Sequence, residues 1–393
     1  MKMSNGNGLK LPKADLCPAI ASCPARRLEK IGEPLSAGLD AQDGIAVASG
    51  VVRTSFERKL LWALLISVAI AAALPLSGML YESVADHRTL EEYPAPGRLI
   101  DVGTAVIHIY CTGIADAAPA VVLEAGGGDI SLVWGDAQRA LSQRHRVCSY
   151  DRAGQGWSSP SRKPRNAEQI AEELHRALVT AHEAGRYVIV GHSRGGIYAR
   201  TFAQLFPGEV AALVLVDSSV DTRAYALGTL QIEERQFRLL ELGAHLARFG
   251  VPRLQYEFGA IGKHTGPLGV EEALRLRAPN IEANYEEMAA VRAGDYGPQI
   301  KDGALRCTPL VVLTSTGPLK GIDAISPAER TLVDAYRAKY QKAQTDFLRL
   351  SCNHRQIFAS HAGHYIYKDD PALFAAAVEG AYSGNLADIP GTL

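Results

Sequence analysis

The chain has no excess of charge of either sign. Lys and Arg number 41 against 42 Asp and Glu, a formal net charge of −1 over 393 residues. That balance excludes the basic field with which nucleic-acid-binding proteins hold phosphates, and no nucleic-acid partner is expected. Cysteine is scarce, at six residues, which excludes a disulfide framework as the basis of the fold. No CxxC pair or His/Cys cluster has the spacing of a zinc site, Cys17 and Cys23 being isolated in a low-complexity tail, so no metal is expected. No internal repeat is visible.

One long uncharged run is present. Residues 1 to about 55 are rich in Gly, Pro, Ala, Ser and Asn and are expected to be a disordered cytoplasmic tail. From Leu60 to Tyr81 no charged residue occurs, enough for one transmembrane helix of roughly 20 residues. Arg53, Arg58 and Lys59 precede the run; Glu82, Asp86, Glu91 and Glu92 follow it. The basic flank is expected to stay in the cytoplasm, leaving the rest of the chain outside it. A cleaved signal peptide is the alternative. The depth of the segment argues against it, unless translation begins downstream, at Val51 or Val52. A buried core helix is the third reading.

From about residue 95 the pattern changes to short apolar runs alternating with helical segments. "AVIHIY", "AVVLEAG", "RVCSYDRAG", "YVIVGHS", "ALVLVDSS", "PLVVLTS" and "RQIFASHAGH" read as strands. The later ones are continuously apolar, as in a parallel sheet covered on both faces. Between about 220 and 303 the strands stop, and Leu- and Ala-rich helical pieces interrupt the sheet as a lid. Cys307 and Cys352 each precede a strand expected at one sheet edge, where export would let them pair; two buried free thiols are the alternative.

"VIVGHSRGG" carries the chemistry. Gly191-His192-Ser193-Arg194-Gly195 matches G-x-S-x-G between a strand and a helix. A sharp turn there lifts the serine hydroxyl above the sheet, and the flanking glycines remove side chains that would clash. A serine needs a base, and the chain offers His361 and His364 after the last strand, with His364 favoured. Gly126, Gly127 and Gly128 follow another strand, where backbone N–H groups can join that of Arg194 in an oxyanion hole. Each feature alone has a plainer reading, as a glycine turn or a surface histidine; their joint occurrence favours the chemical one.

Residues from about Pro94 to Tyr382 resemble the α/β-hydrolase fold family through "VVLEAGGG", "YDRAGQGWS", "VIVGHSRGG", "LVLVDSS", "PLVVLT" and "GHYIYKDDP", in that order. The resemblance implies a doubly wound, mostly parallel eight-stranded α/β sheet with a helical lid. It also implies Ser193 as nucleophile, His364 as base, and Gly127 with Arg194 as oxyanion donors. Two departures stand out. The family's His-Gly in the oxyanion loop is Ala125-Gly126 here, and "PLVVLTSTG" has no Asp where most members carry the acid. Some members place it after the preceding strand, where Asp217 stands; Asp323 and Asp221 are the alternatives. An Asp before Ser218-Ser219 also reads as a residue that merely closes its own turn.

The function expected is a membrane-anchored serine hydrolase that cleaves a carboxylic ester without cofactor or metal. Leu239, Leu240, Leu242, Leu246 and Phe249 in the lid suggest an apolar acyl or aryl group, or simply lid core. An aminopeptidase-like amidase, with Glu233, Glu234, Glu286 or Glu287 holding an amine, is the first alternative. A cofactor-free haloperoxidase and a non-catalytic binding protein follow. Epoxide hydrolase and dehalogenase chemistry is disfavoured, because it uses a carboxylate where Ser193 stands.

Overall fold

The computed structural model describes residues 55–391, apart from 115–118, 184, 222–230, 260–263, 298, 300 and 319–325. The tail expected to be disordered therefore lies outside the described residues, except Ser55. Residues 1–60 and 61–393 form two units, and the second holds the sheet and its helices.

Helix α1 (Ser55–Glu92) opens the described chain. It contains the uncharged run and continues beyond it. Strands β1 (Arg98–Asp101), β2 (Val106–Thr112) and β3 (Ala120–Glu124) follow, then α2 (Gly135–Leu141) and β4 (Val147–Tyr150). Helix α3 (Ala167–Thr180), β5 (Tyr187–His192), α4 (Gly195–Leu205) and β6 (Val210–Val216) continue the alternation. Four helices come next without a strand: α5 (Gln231–Ala247), α6 (Val251–Glu257), α7 (Gly266–Arg275) and α8 (Ala278–Ala293). The chain returns to the sheet with β7 (Leu310–Ser315), α9 (Pro327–Thr345) and β8 (His354–Ala359), and ends in α10 (Ile366–Asp369) and α11 (Pro371–Ser383).

The eight strands form one sheet in the order β1-β2-β4-β3-β5-β6-β7-β8. The β1–β2 and β2–β4 pairs are antiparallel, and all others are parallel. Every residue of β3, β4, β5 and β7 is buried, because apolar clusters cover both faces. One cluster gathers α3, α4 and α9 against the sheet and the other α2, α10 and α11. Helix α3 illustrates the local logic. Ile170, Leu174, Ala177 and Leu178 recur at helical spacing and are buried, while the Asn166 side chain accepts from the N–H of Gln169 at the N-cap.

Two disulfides occur among the described residues. Cys307–Cys352 ties the approaches to neighbouring strands β7 and β8. The free-thiol alternative does not hold. Cys111–Cys148, to which the sequence does not point, joins residues directly opposite on antiparallel β2 and β4, with Cα atoms 4.0 Å apart. Each closes a loop of several tens of residues, and each bond is expected to add about 2–4 kcal/mol to stability. Mass spectrometry of unreduced peptides should recover both pairs linked; alkylation of all four thiols before reduction would refute the pairing.

Candidate active site

Strand β5 runs into α4 through a single sharp turn at Ser193, whose φ is +53°. A non-glycine residue there is strained, and such strain persists only when the surroundings over-determine it. They do so here: Ser193 N–H donates to the Val216 carbonyl, and the Ser193 carbonyl accepts from the N–H groups of Gly196 and Ser219. The glycines make the turn possible by close approach. A Cβ at Gly195 would collide with the Ala125 carbonyl oxygen, and one at Gly196 would collide with Ser218 Oγ.

His364 lies in the loop between β8 and α10. Its Nδ1 bonds Asp217 Oδ2 at 2.7 Å. Asp217 directly follows β6, one strand over from the serine, and is itself 7% exposed. Its other oxygen accepts from the Ser315 N–H at 3.2 Å and from Gln344 Nε2 at 3.1 Å. All three partners come from other elements, so the carboxylate is aimed away from its own turn. Ser315 occupies the end of β7, where most family members carry the acid, and helps hold Asp217 instead. Among the described residues no hydrogen bond joins Ser193 Oγ to His364; bonds of this type often tighten only around substrate. His361 is exposed and makes no hydrogen bond among the described residues. Asp221 sits four residues beyond Asp217 in the chain, and Asp323 lies outside the described residues.

His192 is a site residue that sequence reasoning misses. It is fully buried, and its Nε2–H donates to the His364 carbonyl at 3.0 Å. Burial, then the proximity of His364, holds its pKa well below the ordinary histidine range. Its neutral ring therefore acts as a fixed donor that positions the His364 loop. The only hint in the sequence is its place between Gly191 and Ser193.

The oxyanion-loop residues also come together. A Cβ at Gly127 would collide with the Arg194 guanidinium, so the loop after β3 abuts the residue after the serine. A buried network holds them. Arg194 Nη1 reaches Asn284 Oδ1 at 3.1 Å and Glu287 Oε2 at 3.3 Å on α8. Glu287 also accepts from Arg152 Nε at 2.8 Å. Arg152 in turn donates to Glu124 Oε1 at 2.6 Å and to the carbonyls of Ala125 and Gly126 at 2.8 and 2.7 Å. Two carboxylates thus meet two guanidiniums, which a dry interior requires. Burial pushes the Glu287 carboxyl up, but Arg152 and Arg194 outweigh it and leave the pKa below the ordinary range. Burial dominates at Glu124, which Arg152 only partly offsets, and its pKa is pushed up to about 7.

This network bears on the amine-binding alternative. Glu287 is consumed by two arginines, and Glu234 pairs with Arg238 and Arg292 on the surface. The side chain of Glu233 lies outside the described residues. The lid leucines divide: Leu239 and Leu242 are exposed, whereas Leu240, Leu246 and Phe249 are half-buried.

Residues 119–248 match the family model described as the alpha/beta hydrolase fold. A protein of Cronobacter sakazakii named "Putative carbamate hydrolase RutD" is 32% identical over 188 residues, 44% of this chain and 68% of that one. "Probable transporter efuK" of Hormonema carpetanum is 28% identical over 295 residues, 70% of this chain, which spans 41% of its length. Among solved structures, a probable hydrolytic enzyme of Pseudomonas aeruginosa superposes with a TM-score of 0.52 at 21% identity, covering 74% of this chain and 95% of that one. A thermophilic esterase of Thermogutta terrifontis gives 0.50 at 19% identity, covering 72% and 94%.

Proposed function

Since the chain belongs to the α/β-hydrolase fold family, we propose that it is a serine hydrolase cleaving carboxylic esters through an acyl-enzyme on Ser193. The observation that carries this reading is the 2.7 Å bond from His364 to Asp217 beside a serine held at positive φ. Ser193 Oγ attacks the acyl carbonyl carbon as its proton passes to His364 Nε2. Asp217 keeps the other ring nitrogen protonated and stabilises the imidazolium. The N–H groups of Arg194 and Gly127 receive the developing oxyanion. Collapse expels the alcohol, which takes the proton from His364. Water then attacks the acyl-enzyme by the same route in reverse.

An ester is preferred to an amide because an alkoxide leaves more readily than an amine, and because the buried acid that could hold a free amine, Glu287, is already paired. The relative named as a carbamate hydrolase supports a carbonyl substrate. A binding protein on this fold would have no need of the strained serine and the histidine–carboxylate pair, and a haloperoxidase has no separate observation in its favour. Labelling with a fluorophosphonate, followed by a panel of p-nitrophenyl esters and amino-acid amides, tests the reading. An unlabelled wild type would end it.

The same proposal includes the membrane. Helix α1 is long and apolar enough to cross a bilayer, with a mean hydropathy of 2.3 over its best window and none of that window buried. The flanking charges favour a catalytic domain outside the cytoplasm. A reporter active only outside the cytoplasm, fused after Leu393, is expected to be active; a signal from a cytoplasm-only reporter would reverse the topology.

A further inference from the structure

The apolar run of α1 does not lead into a free linker. The helix continues past Tyr81, and its next turns are clamped by the cap. Arg253 on α6 pairs with Glu82 at 2.9 Å and donates to Thr89 Oγ1 at 3.1 Å. Arg277, which leads into α8, pairs with Asp86 at 2.5 Å and also donates to the Gly156 carbonyl. The N–H of Ala278 donates to Glu82 at 3.1 Å. Arg253, Arg277 and Glu82 are all buried. Toward the uncharged run the packing is closer still: a Cβ at Gly78 would lie 2.6 Å from the Phe249 carbonyl oxygen, and one at Gly250 would lie 2.6 Å from the Tyr81 ring.

These contacts fix a level. The run from Leu60 to Tyr81 is roughly 33 Å long at 1.5 Å per residue, about one hydrocarbon thickness. Glu82 is the first charged residue after it, so on the membrane-spanning reading proposed above the membrane surface lies within a turn of Tyr81. Phe249, Gly250 and Glu257, which lies beside Tyr81, therefore sit at that surface. Directly after Glu257 stands Phe258, 86% exposed. Aromatic side chains at this depth belong to the bilayer interface.

We propose that the face of the lid helices bearing Phe258 is seated in the interfacial layer of the bilayer that α1 crosses, and that the substrate is an ester lipid drawn from that layer. The proposal rests on the serine-hydrolase reading for its substrate, on the membrane-spanning reading of α1 for its bilayer, and on the ion-pair clamp for its geometry. A rigid clamp matters because a flexible tether would leave the cap free to face water.

The full chain in phosphatidylcholine vesicles provides the test. With Cys17 and Cys23 replaced by serine, Phe258→Cys carrying an environment-sensitive fluorophore is expected to be quenched by lipids spin-labelled near the headgroup. Emission typical of water without quenching would overturn the seating. Phe258→Asp is expected to slow hydrolysis of a long-chain fluorogenic ester lipid in the same vesicles about fivefold or more, by weakening apolar contact with the interface. Turnover of soluble p-nitrophenyl acetate should stay within about twofold, since Phe258 is on the surface and is no part of the site around Ser193. Equal rates on the lipid ester, before and after substitution, would overturn the substrate class. Failure of phosphonate labelling in the wild type would remove the serine reading, while the quenching measurement still reports the seating.

Discussion

Ser193→Ala is expected to reduce fluorophosphonate labelling and ester turnover to background while the domain remains folded. Only the hydroxyl oxygen is lost. The backbone bonds that hold the turn, from Ser193 N–H to Val216 and from Gly196 and Ser219 to the Ser193 carbonyl, do not involve it. Alanine tolerates positive φ no better than serine and no worse, so the strain is unchanged. His364→Ala should cost about as much, because nucleophile and base act as a unit and losing either removes a factor on the order of a million in turnover. His361→Ala should be nearly silent, its side chain being exposed and without a hydrogen bond among the described residues. Steady-state kinetics on a short p-nitrophenyl ester, with melting temperatures as the control for folding, measures all three. A damaging His361→Ala beside a mild His364→Ala would move the base to the earlier histidine.

Asp217→Asn is expected to lower turnover by up to about four orders of magnitude with the fold intact. The amide retains an oxygen for the Ser315 N–H and Gln344 Nε2. At the other position it presents an NH₂ group to His364 Nδ1. The ring must then accept at Nδ1 and carry its proton on Nε2, where it cannot take one from the serine. The charge that stabilises the imidazolium is lost as well. Asp221→Asn and Asp323→Asn should each remain within about tenfold of wild type, since neither removes the carboxylate bonded to His364. A folded Asp217→Asn chain of near-normal activity, with Asp323→Asn inactive, would return the acid to the loop after β7.

Much of the site is legible as order along the chain. A glycine-flanked serine between a strand and a helix, a histidine after the last strand and glycines after an early one each mark a turn whose backbone requirement is local. Asp217 is legible only in part. Its position after "LVLV" is suggestive, but its neighbours Ser218 and Ser219 offer an equally local explanation. The decision depends on Ser315, Gln344 and His364, which lie 98, 127 and 147 residues further along the chain. Glu287 shows the opposite failure. In sequence it resembles one of several surface acids on a lid helix, yet it is fully buried between Arg152 and Arg194. Nothing in its own segment announces that, because helix α8 has almost no amphipathic period to reveal which side turns inward. His192 and the Cys111–Cys148 bond escape the sequence for a related reason: each depends on which strand or loop becomes the neighbour.

The sequence by itself determined the uncharged run of α1, the alternation of strands and helices, the strained serine turn and the interruption that becomes the cap. These follow from periodicity, from the conformational range of glycine and from the spacing of charged residues along the chain, all of which act over a few residues. Only the tertiary structure decided which carboxylate meets His364, that Arg152 is shared between Glu124 and Glu287, and that Arg253 and Arg277 grip the far end of α1. Each of those is a pairing of buried charges from distant segments. A guanidinium or a carboxylate is as acceptable on a solvated surface as in an ion pair, so its local sequence is indifferent to the outcome. The partner is chosen when the sheet order and the cap bring two such groups into the same dry space, where neither can remain alone.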